Sequence, residues 1–200
     1  MTAELASGFT EPVRHAQQGF RAALDALSRP GRITHVAADG PTAPGLGPAS
    51  TTLMLSLADF ETPVWLGAGA AASGEYFRFH CGCPLTRERG GAVIACLANP
   101  AEALPLADFE LGSDKAPEAS ATLIIQVAAL DDQGSFEFSG PGIDGVHRIG
   151  IQGLPTEWLR ERAMLAPLFP RGVDIFLTSG NRLCGLPRTT IIKETPCMSR

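Results

Sequence analysis

The feature that most constrains this fold is a short and almost uninterrupted apolar run from Leu123 to Val127 (LIIQV). A strand that faces solvent on one side alternates apolar with polar residues, whereas a strand buried on both faces is apolar throughout. The run, within residues 121–130, predicts a strand of the second kind. A sheet containing such a strand needs cover on both sides, and helices usually provide it.

Three segments have the spacing and boundary residues of helices that could provide this cover. Residues 10–29 place Pro12 in a first turn and repeat apolar residues at helical spacing until Pro30 and Gly31 end the pattern. A second helix is predicted from Ser50 or Thr51 to about residue 59. A third helix is predicted at residues 156–166, where Trp158, Leu159, Arg162 and Leu165 lie on neighbouring turns. The apolar residues of the first helix are Val13, Ala16, Phe20, Ala23 and Leu27.

The remaining short apolar segments predict strands separated by turns. Residues 131–134 (DDQG) are predicted to form a turn, and residues 179–181 (SGN) a three-residue hairpin loop. Helices and strands alternate without strict βαβ order, so we predict an α/β fold with a mixed sheet covered by helices, in one domain over residues 1–200. The other predicted strands are residues 33–36, 62–66, 93–97, 135–139, 173–178 and 182–186, and a short helical stretch is predicted at residues 102–106.

Charge and hydropathy argue against two classes of partner. The formal net charge is −5, and an acidic domain is repelled by a phosphate backbone, so we expect no general nucleic-acid binding. No apolar segment is long enough to cross a bilayer. Residues 1–15 lack the basic region and apolar stretch of a secretory signal, which predicts a cytoplasmic protein.

The cysteines indicate reduced thiols, because five cysteines without a secretory signal do not suggest a disulfide framework. His80, Cys81 and Cys83 form the cluster most similar to a metal site. A structural zinc site needs four ligands, and Cys96 and Cys184 are single residues in predicted strands, so we expect no bound metal. A zinc- or redox-responsive regulator acting through His80, Cys81 and Cys83 remains the alternative.

The sequence contains no recognisable catalytic motif. No Gly-x-Ser-x-Gly elbow occurs, and no nucleophile stands in a partner pattern with the four histidines. The loop Gly45 to Pro48 leads into a helix whose free amides could hold a phosphate, but it lacks the lysine and hydroxyl of a P-loop, so a plain helix start is favoured. We predict no catalytic residues and no cofactor.

Three side chains are the candidates for binding an anion: Arg78, His80 and Arg188. Residues 76–80 are consistent with a strand or a helix end, and a strand would place Arg78 and His80 on one face. Arg188 lies in a Pro-Arg-Thr-Thr segment. A salt bridge or a partner contact is favoured for each arginine, and the alternative is a stand-alone enzyme that binds a phosphate or nucleotide with these three residues.

Many short segments, in order along the chain, resemble the PhnH family of the carbon–phosphorus lyase system. They extend from about residue 9 to residue 192, which sets the expected limits of the folded core. The most characteristic segments are Pro12-Val13, Phe20-Arg21, Pro30-Gly31, Leu57-Ala58-Asp59, Thr62-Pro63-Val64-Trp65-Leu66, Arg78-Phe79-His80, Ala116-Pro117-Glu118-Ala119, Ala121-Thr122-Leu123-Ile124, Gly140-Pro141-Gly142-Ile143, Gly172-Val173-Asp174 and Pro187-Arg188-Thr189-Thr190.

The resemblance implies a subunit of a phosphonate-converting complex that forms a homodimer and acts with PhnG, PhnI, PhnJ and PhnK subunits. In that pathway ATP loses adenine in exchange for a phosphonate. The fold implied is similar to that of the PLP-dependent transferases without the cofactor, and the two internal lysines, Lys115 and Lys193, show no Schiff-base pattern. A subunit should also expose an apolar patch, for which residues 110–118 and the Trp158 helix are candidates.

Overall fold

The computed structural model of the protein describes residues 6–195. Over these residues the chain forms four α-helices and nine β-strands, joined by loops and short 3-10 helices. The helices are α1 (Pro12–Ser28), α2 (Pro48–Leu57), α3 (Gly74–Cys81) and α4 (Thr156–Leu165). The strands are β1 (Ile33–His35), β2 (Val64–Leu66), β3 (Ile94–Leu97), β4 (Thr122–Gln126), β5 (Ala129–Ser139), β6 (His147–Gln152), β7 (Asp174–Ser179), β8 (Arg182–Leu186) and β9 (Ile191–Glu194).

The main sheet has six strands in the order β1-β8-β7-β4-β3-β2. Strands β2, β3, β4 and β7 are parallel, whereas β8 runs antiparallel to both β7 and β1. The predicted mixed α/β sheet is therefore confirmed. The apolar strand β4 lies in its interior, and Leu123, Ile124 and Ile125 are fully buried.

The two faces of β4 enter two different cores, which explains its uninterrupted apolar sequence. Ile124 packs in a core with α1, α2 and α3. Leu123 and Ile125 point the other way, into a core formed with α4 and a second sheet. Because successive strand residues face opposite sides, an apolar residue is required at every position.

The second sheet was not predicted. It is antiparallel, with the strand order β6-β5-β9. The predicted turn at residues 131–134 is wrong, because these residues continue strand β5, and the Asp and Gly residues mark an irregularity in its pairing with β6 between Asp131 and Phe136. A β-bulge uses the same residue types as a turn, and a Cβ added at Gly134 would lie 2.2 Å from the Cα of Gly150.

Three boundaries also differ from the prediction. Helix α2 begins at Pro48, before the predicted caps, because proline suits a first helical position. The hairpin between β7 and β8 has two loop residues, since Ser179 pairs with Arg182. Residues 102–106 overlap two short 3-10 helices, Pro100–Ala103 and Leu106–Asp108.

Candidate functional site

Arg188 is held by the protein itself. Its Nη2 donates to Asp174 Oδ2 and to Ser120 Oγ, each at 2.6 Å, and its Nη1 donates to the Pro117 carbonyl at 2.6 Å. Nε and the backbone N–H both donate to Asp174 Oδ1. Only 16% of the Arg188 side chain is exposed, and 24% of Asp174. Arg188 thus joins β7, the segment after β8 and the loop before β4, which is a structural role.

A second arginine, which the sequence analysis did not select, lies beside Arg188. Arg162 of α4 is 6% exposed and donates from Nη1 to the Val173 carbonyl at 3.0 Å. Its Nη2 donates to the Pro187 carbonyl. Burial lowers the pKa of Arg162 to about 10, with Asp174 opposing the shift and Arg188 adding to it. The sequence placed Arg162 on the same helical turns as Trp158 and Leu165, but a charged residue is rarely buried, so its burial was not predicted.

The expected shared face of Arg78 and His80 is wrong, because both residues lie in helix α3. Helical residues two positions apart point about 200° apart around the axis, whereas strand residues at that spacing share a face. Arg78 is exposed, while His80 is half-buried. Within residues 6–195, no recorded hydrogen bond or salt bridge joins Arg188 to either residue.

His80 instead positions the N-terminal segment of the chain. Its Nε2 donates to the Ala6 carbonyl at 3.1 Å, and the hydroxyl of Tyr76 donates to the Ser7 carbonyl at 3.0 Å. The two rings pack with their centroids 4.4 Å apart. Gly8 approaches the imidazole so closely that an added Cβ would lie 2.7 Å from its Nδ1. The imidazole therefore anchors backbone, which occupies the nitrogen that an anion would need.

The N-terminal segment also lines a cavity of about 720 Å³ beside α1 and the loop after β1. Its polar side chains include Arg14, His15, His35 and Asp39. Arg14 is paired with Glu11 at 3.0 Å, and His15 packs edge-on against Phe9. The guanidinium of Arg14 and the imidazole of His15 therefore already have partners within the protein.

Cys81 is the last residue of α3, and Cys83 follows two residues later. Their mutual hydrogen bond raises the pKa of Cys81 and lowers the pKa of Cys83, and Arg78 contributes to the lowering. Cys96 and Cys184 are fully buried in strands. Residues 6–195 contain no group of three or more His, Cys, Asp or Glu side chains arranged to hold a metal ion. Cys197 lies outside the described residues.

The start of α2 is already occupied by acceptors from the protein. The backbone N–H of Gly47 donates to Gln126 Oε1 at 2.8 Å, and that of Ala49 donates to the Gly180 carbonyl at 2.9 Å. Ser50 is buried and its hydroxyl bonds to Thr178. A phosphate would have to displace these contacts, so the loop serves as a plain helix start.

Helix α1 exposes an apolar face, which we call the α1 stripe and define as Val13, Phe20 and Leu24. Their exposed fractions are 87%, 46% and 53%. The buried residues of α1 are Gly19, Ala23 and Ala26, and at 100° per residue the stripe lies about 110° around the helix from them.

This face corrects two predictions about apolar residues. The sequence analysis grouped Val13 and Phe20 with Ala23 on one face, but small residues form the packed face, because α1 lies close against α2 and β8. The Trp158 helix and residues 110–118 were the candidates for a surface patch: Trp158 itself is fully buried, Met164 of the same helix is 63% exposed, and residues 110–118 contain no large exposed apolar side chain. No helix among residues 6–195 has both the length and the hydropathy needed to cross a membrane.

The structure thus defines a mixed α/β protein in which Arg188 is paired with Asp174 and helix α1 exposes an apolar face. Comparison with known proteins then identifies the family. The family described as "Bacterial phosphonate metabolism protein (PhnH)" matches residues 7–193. The chain belongs to the PhnH family, as its ordered motifs predicted.

Two curated relatives extend over most of the chain. Alpha-D-ribose 1-methylphosphonate 5-triphosphate synthase subunit PhnH of Rhizobium meliloti (strain 1021) is 36% identical over 189 residues, which is 93% of this chain and 94% of that protein. Putative C-P lyase subunit protein HtxG of Stutzerimonas stutzeri is 30% identical over 176 residues, 88% of this chain and 85% of that protein. Both relatives are described as subunits.

Proposed function

We propose that this protein is a subunit of the carbon–phosphorus lyase core complex. In this role it supports formation of ribose 1-phosphonate 5-triphosphate from ATP and an alkylphosphonate, in cytoplasmic organophosphonate catabolism. The observation that carries the proposal is the 36% identity to a synthase subunit across 93% of the chain. Its partners are PhnG-, PhnI-, PhnJ- and PhnK-type subunits, and a second copy in a homodimer.

The α1 stripe supports the proposal because it gives such a subunit an apolar contact surface. Exposed apolar side chains grouped on one helix face are typical of protein interaction sites. Arg14 and Arg21, both exposed, border the stripe and would keep the free chain soluble. We propose that the stripe is buried against another subunit in the assembly.

Co-purification tests this proposal. The tagged chain, co-expressed with the other core subunits, should retain them, and Phe20→Glu with Leu24→Glu should release at least one of them or dissociate the homodimer. Phe60→Glu, which changes another exposed aromatic residue (73% exposed), is the matched control. Retention of no partner by the wild-type chain would contradict the subunit role, whereas full retention by the double variant would contradict only the use of the stripe.

The relation to the PLP-dependent transferase fold is a separate proposal. It is supported by the mixed sheet, in which four parallel strands are followed by β8, the strand that runs antiparallel to both of its neighbours, β7 and β1. Lys115 and Lys193 are both exposed, one in a loop and one on β9, which is unsuitable for a buried Schiff base. Addition of pyridoxal phosphate should therefore produce no stoichiometric Schiff-base absorbance; a saturable one-to-one band would contradict the cofactor-free assignment.

Of the three predicted anion ligands, Arg78 is the exposed one. Its contact with a phosphorylated ligand stays a prediction. In the assembled complex, Arg78→Gln should weaken ATP binding if Arg78 meets a phosphate and leave it unchanged if it does not.

A further inference from the structure

A second cavity lies between α4 and β9, and Arg162 and Arg188 both line it. Its volume is about 500 Å³, which is within the range of about 300–1,000 Å³ typical of small-molecule sites. Its walls are apolar, with Leu159, Phe169, Ile191 and Ile192 among them. Phe169 and Ile191 are 64% and 53% exposed, so the cavity opens to solvent between apolar side chains.

Arg162 brings a buried positive charge to this cavity. Its two recorded hydrogen bonds go to backbone carbonyls, which are neutral acceptors. A guanidinium has five N–H groups, so three N–H groups of Arg162 donate to no acceptor within residues 6–195. No carboxylate in that part of the chain lies within 4.0 Å of Arg162, and both oxygens of Asp174 bond to Arg188. Together Arg162, Arg188 and Asp174 therefore carry a net charge of about +1.

Thr190, which also lines the cavity, contributes an unpaired hydroxyl. It is 3% exposed, and its Oγ1 has no hydrogen-bond partner in the described part of the chain. Leaving a buried hydroxyl unpaired costs about 1–3 kcal/mol. A buried cation and a buried unpaired hydroxyl at one otherwise apolar cavity form an arrangement that a bound oxyanion would complete.

We propose that this cavity binds a small amphiphilic anion. Its carboxylate, phosphate or phosphonate group accepts hydrogen bonds from Arg162 and Thr190, and its alkyl body packs against Leu159, Phe169 and Ile191. An oxyanion would provide the counter-charge that Arg162 lacks, and the low pKa of the buried guanidinium would rise when it binds. This inference does not depend on membership of a complex, because every residue involved belongs to this chain.

Calorimetric titration of the purified full-length chain with hexylphosphonate tests the site. Methylphosphonate carries the same charged group without the chain, and 1-hexanol carries the chain without the charge. We expect saturable one-to-one binding of hexylphosphonate, at least about tenfold tighter than that of either control compound, because both halves contribute. Equal binding of the three compounds, or no saturable binding of hexylphosphonate, would overturn the proposal.

Variants separate ligand contact from folding. Thr190→Val removes only the unpaired hydroxyl, so we expect a melting temperature no lower than wild type together with about fivefold weaker binding. Ala163→Phe should fill the cavity and abolish binding, and Arg162→Met should do the same if it folds. Arg148→Gln, which removes an exposed arginine of β6 that does not line the cavity, is the control. Wild-type affinity in both Thr190→Val and Ala163→Phe would place the ligand elsewhere and overturn the proposal.

Discussion

Arg188 illustrates how one residue pattern can have two different roles. A Pro-Arg-Thr-Thr segment is suited to an anion site, but Asp174, fourteen residues earlier, already supplies the carboxylate. The sequence analysis favoured a salt bridge or a partner contact for this residue, and the structure has Arg188 in a salt bridge with Asp174. The partner itself could not be predicted, because Asp174 and Arg188 meet only when β7 and β8 pair.

We expect Arg188→Met to lower the free energy of unfolding by about 3 kcal/mol, because it leaves the half-buried Asp174 without its counter-charge. Arg148→Gln breaks the more exposed pair with Glu137, where Arg148 is 67% exposed, and should cost less than about 1 kcal/mol. Urea denaturation of both variants measures the difference. Equal stability of the two variants would show that the Arg188 network is not structural.

The cysteines give a second prediction at the residue scale. Burial raises the pKa of Cys96 and of Cys184 to about 12, so at pH 8 only about one in ten thousand of either thiol is ionised and reactive. The double variant Cys96→Ala, Cys184→Ala should consume as much thiol reagent as wild type when native, and two equivalents less when denatured. A native difference between the two proteins would contradict the burial of these strands.

At the scale of elements, α1 lies unusually close to β8. A Cβ at Gly185 would lie 2.3 Å from the carbonyl oxygen of Ala26, and one at Gly19 would lie 2.2 Å from Ser56 Oγ. Glycine at these two positions allows the helix to contact both the sheet and α2. The sequence predicted α1 itself but not its orientation, because two of the apolar residues in its helical pattern, Val13 and Phe20, face outward.

We expect Gly185→Ala to destabilise the protein by about 2–3 kcal/mol, because a backbone carbonyl cannot move aside as a side chain can. Gly91→Ala is the matched control, since its added Cβ would meet only Thr86 Oγ1 at 3.5 Å. Thermal unfolding should separate the two variants clearly. A wild-type melting temperature for Gly185→Ala would contradict the close packing of α1 on β8.

The strands show which parts of the sheets could be predicted from local sequence patterns alone. The apolar run of β4 and the hairpin of β7 and β8 were predicted because burial on two faces and tight turns both leave local patterns. Strands β6 and β9 were missed, since they pair only with β5 and their short, partly polar sequences have no such pattern. Strand β6 pairs with β5, its neighbour in the chain, whereas β9 pairs with β5 residues that lie far earlier in the sequence.

At the scale of the whole molecule, function depends on surfaces, which sequence patterns describe least well. The ordered PhnH motifs predicted the family, but they did not predict the α1 stripe or the cavity beside Arg162. Both features arise from the way in which helices meet the two sheets. The candidate anion ligands were chosen by residue type, and the structure shows His80 and Arg188 bonded within the protein.

The most direct test of the subunit role is release of adenine from ATP in the presence of methylphosphonate. We predict no turnover by this chain alone, little by the other core subunits without it, and full turnover when it is added back in stoichiometric amount. Turnover by the isolated chain, or unchanged turnover by the other subunits in its absence, would contradict the account.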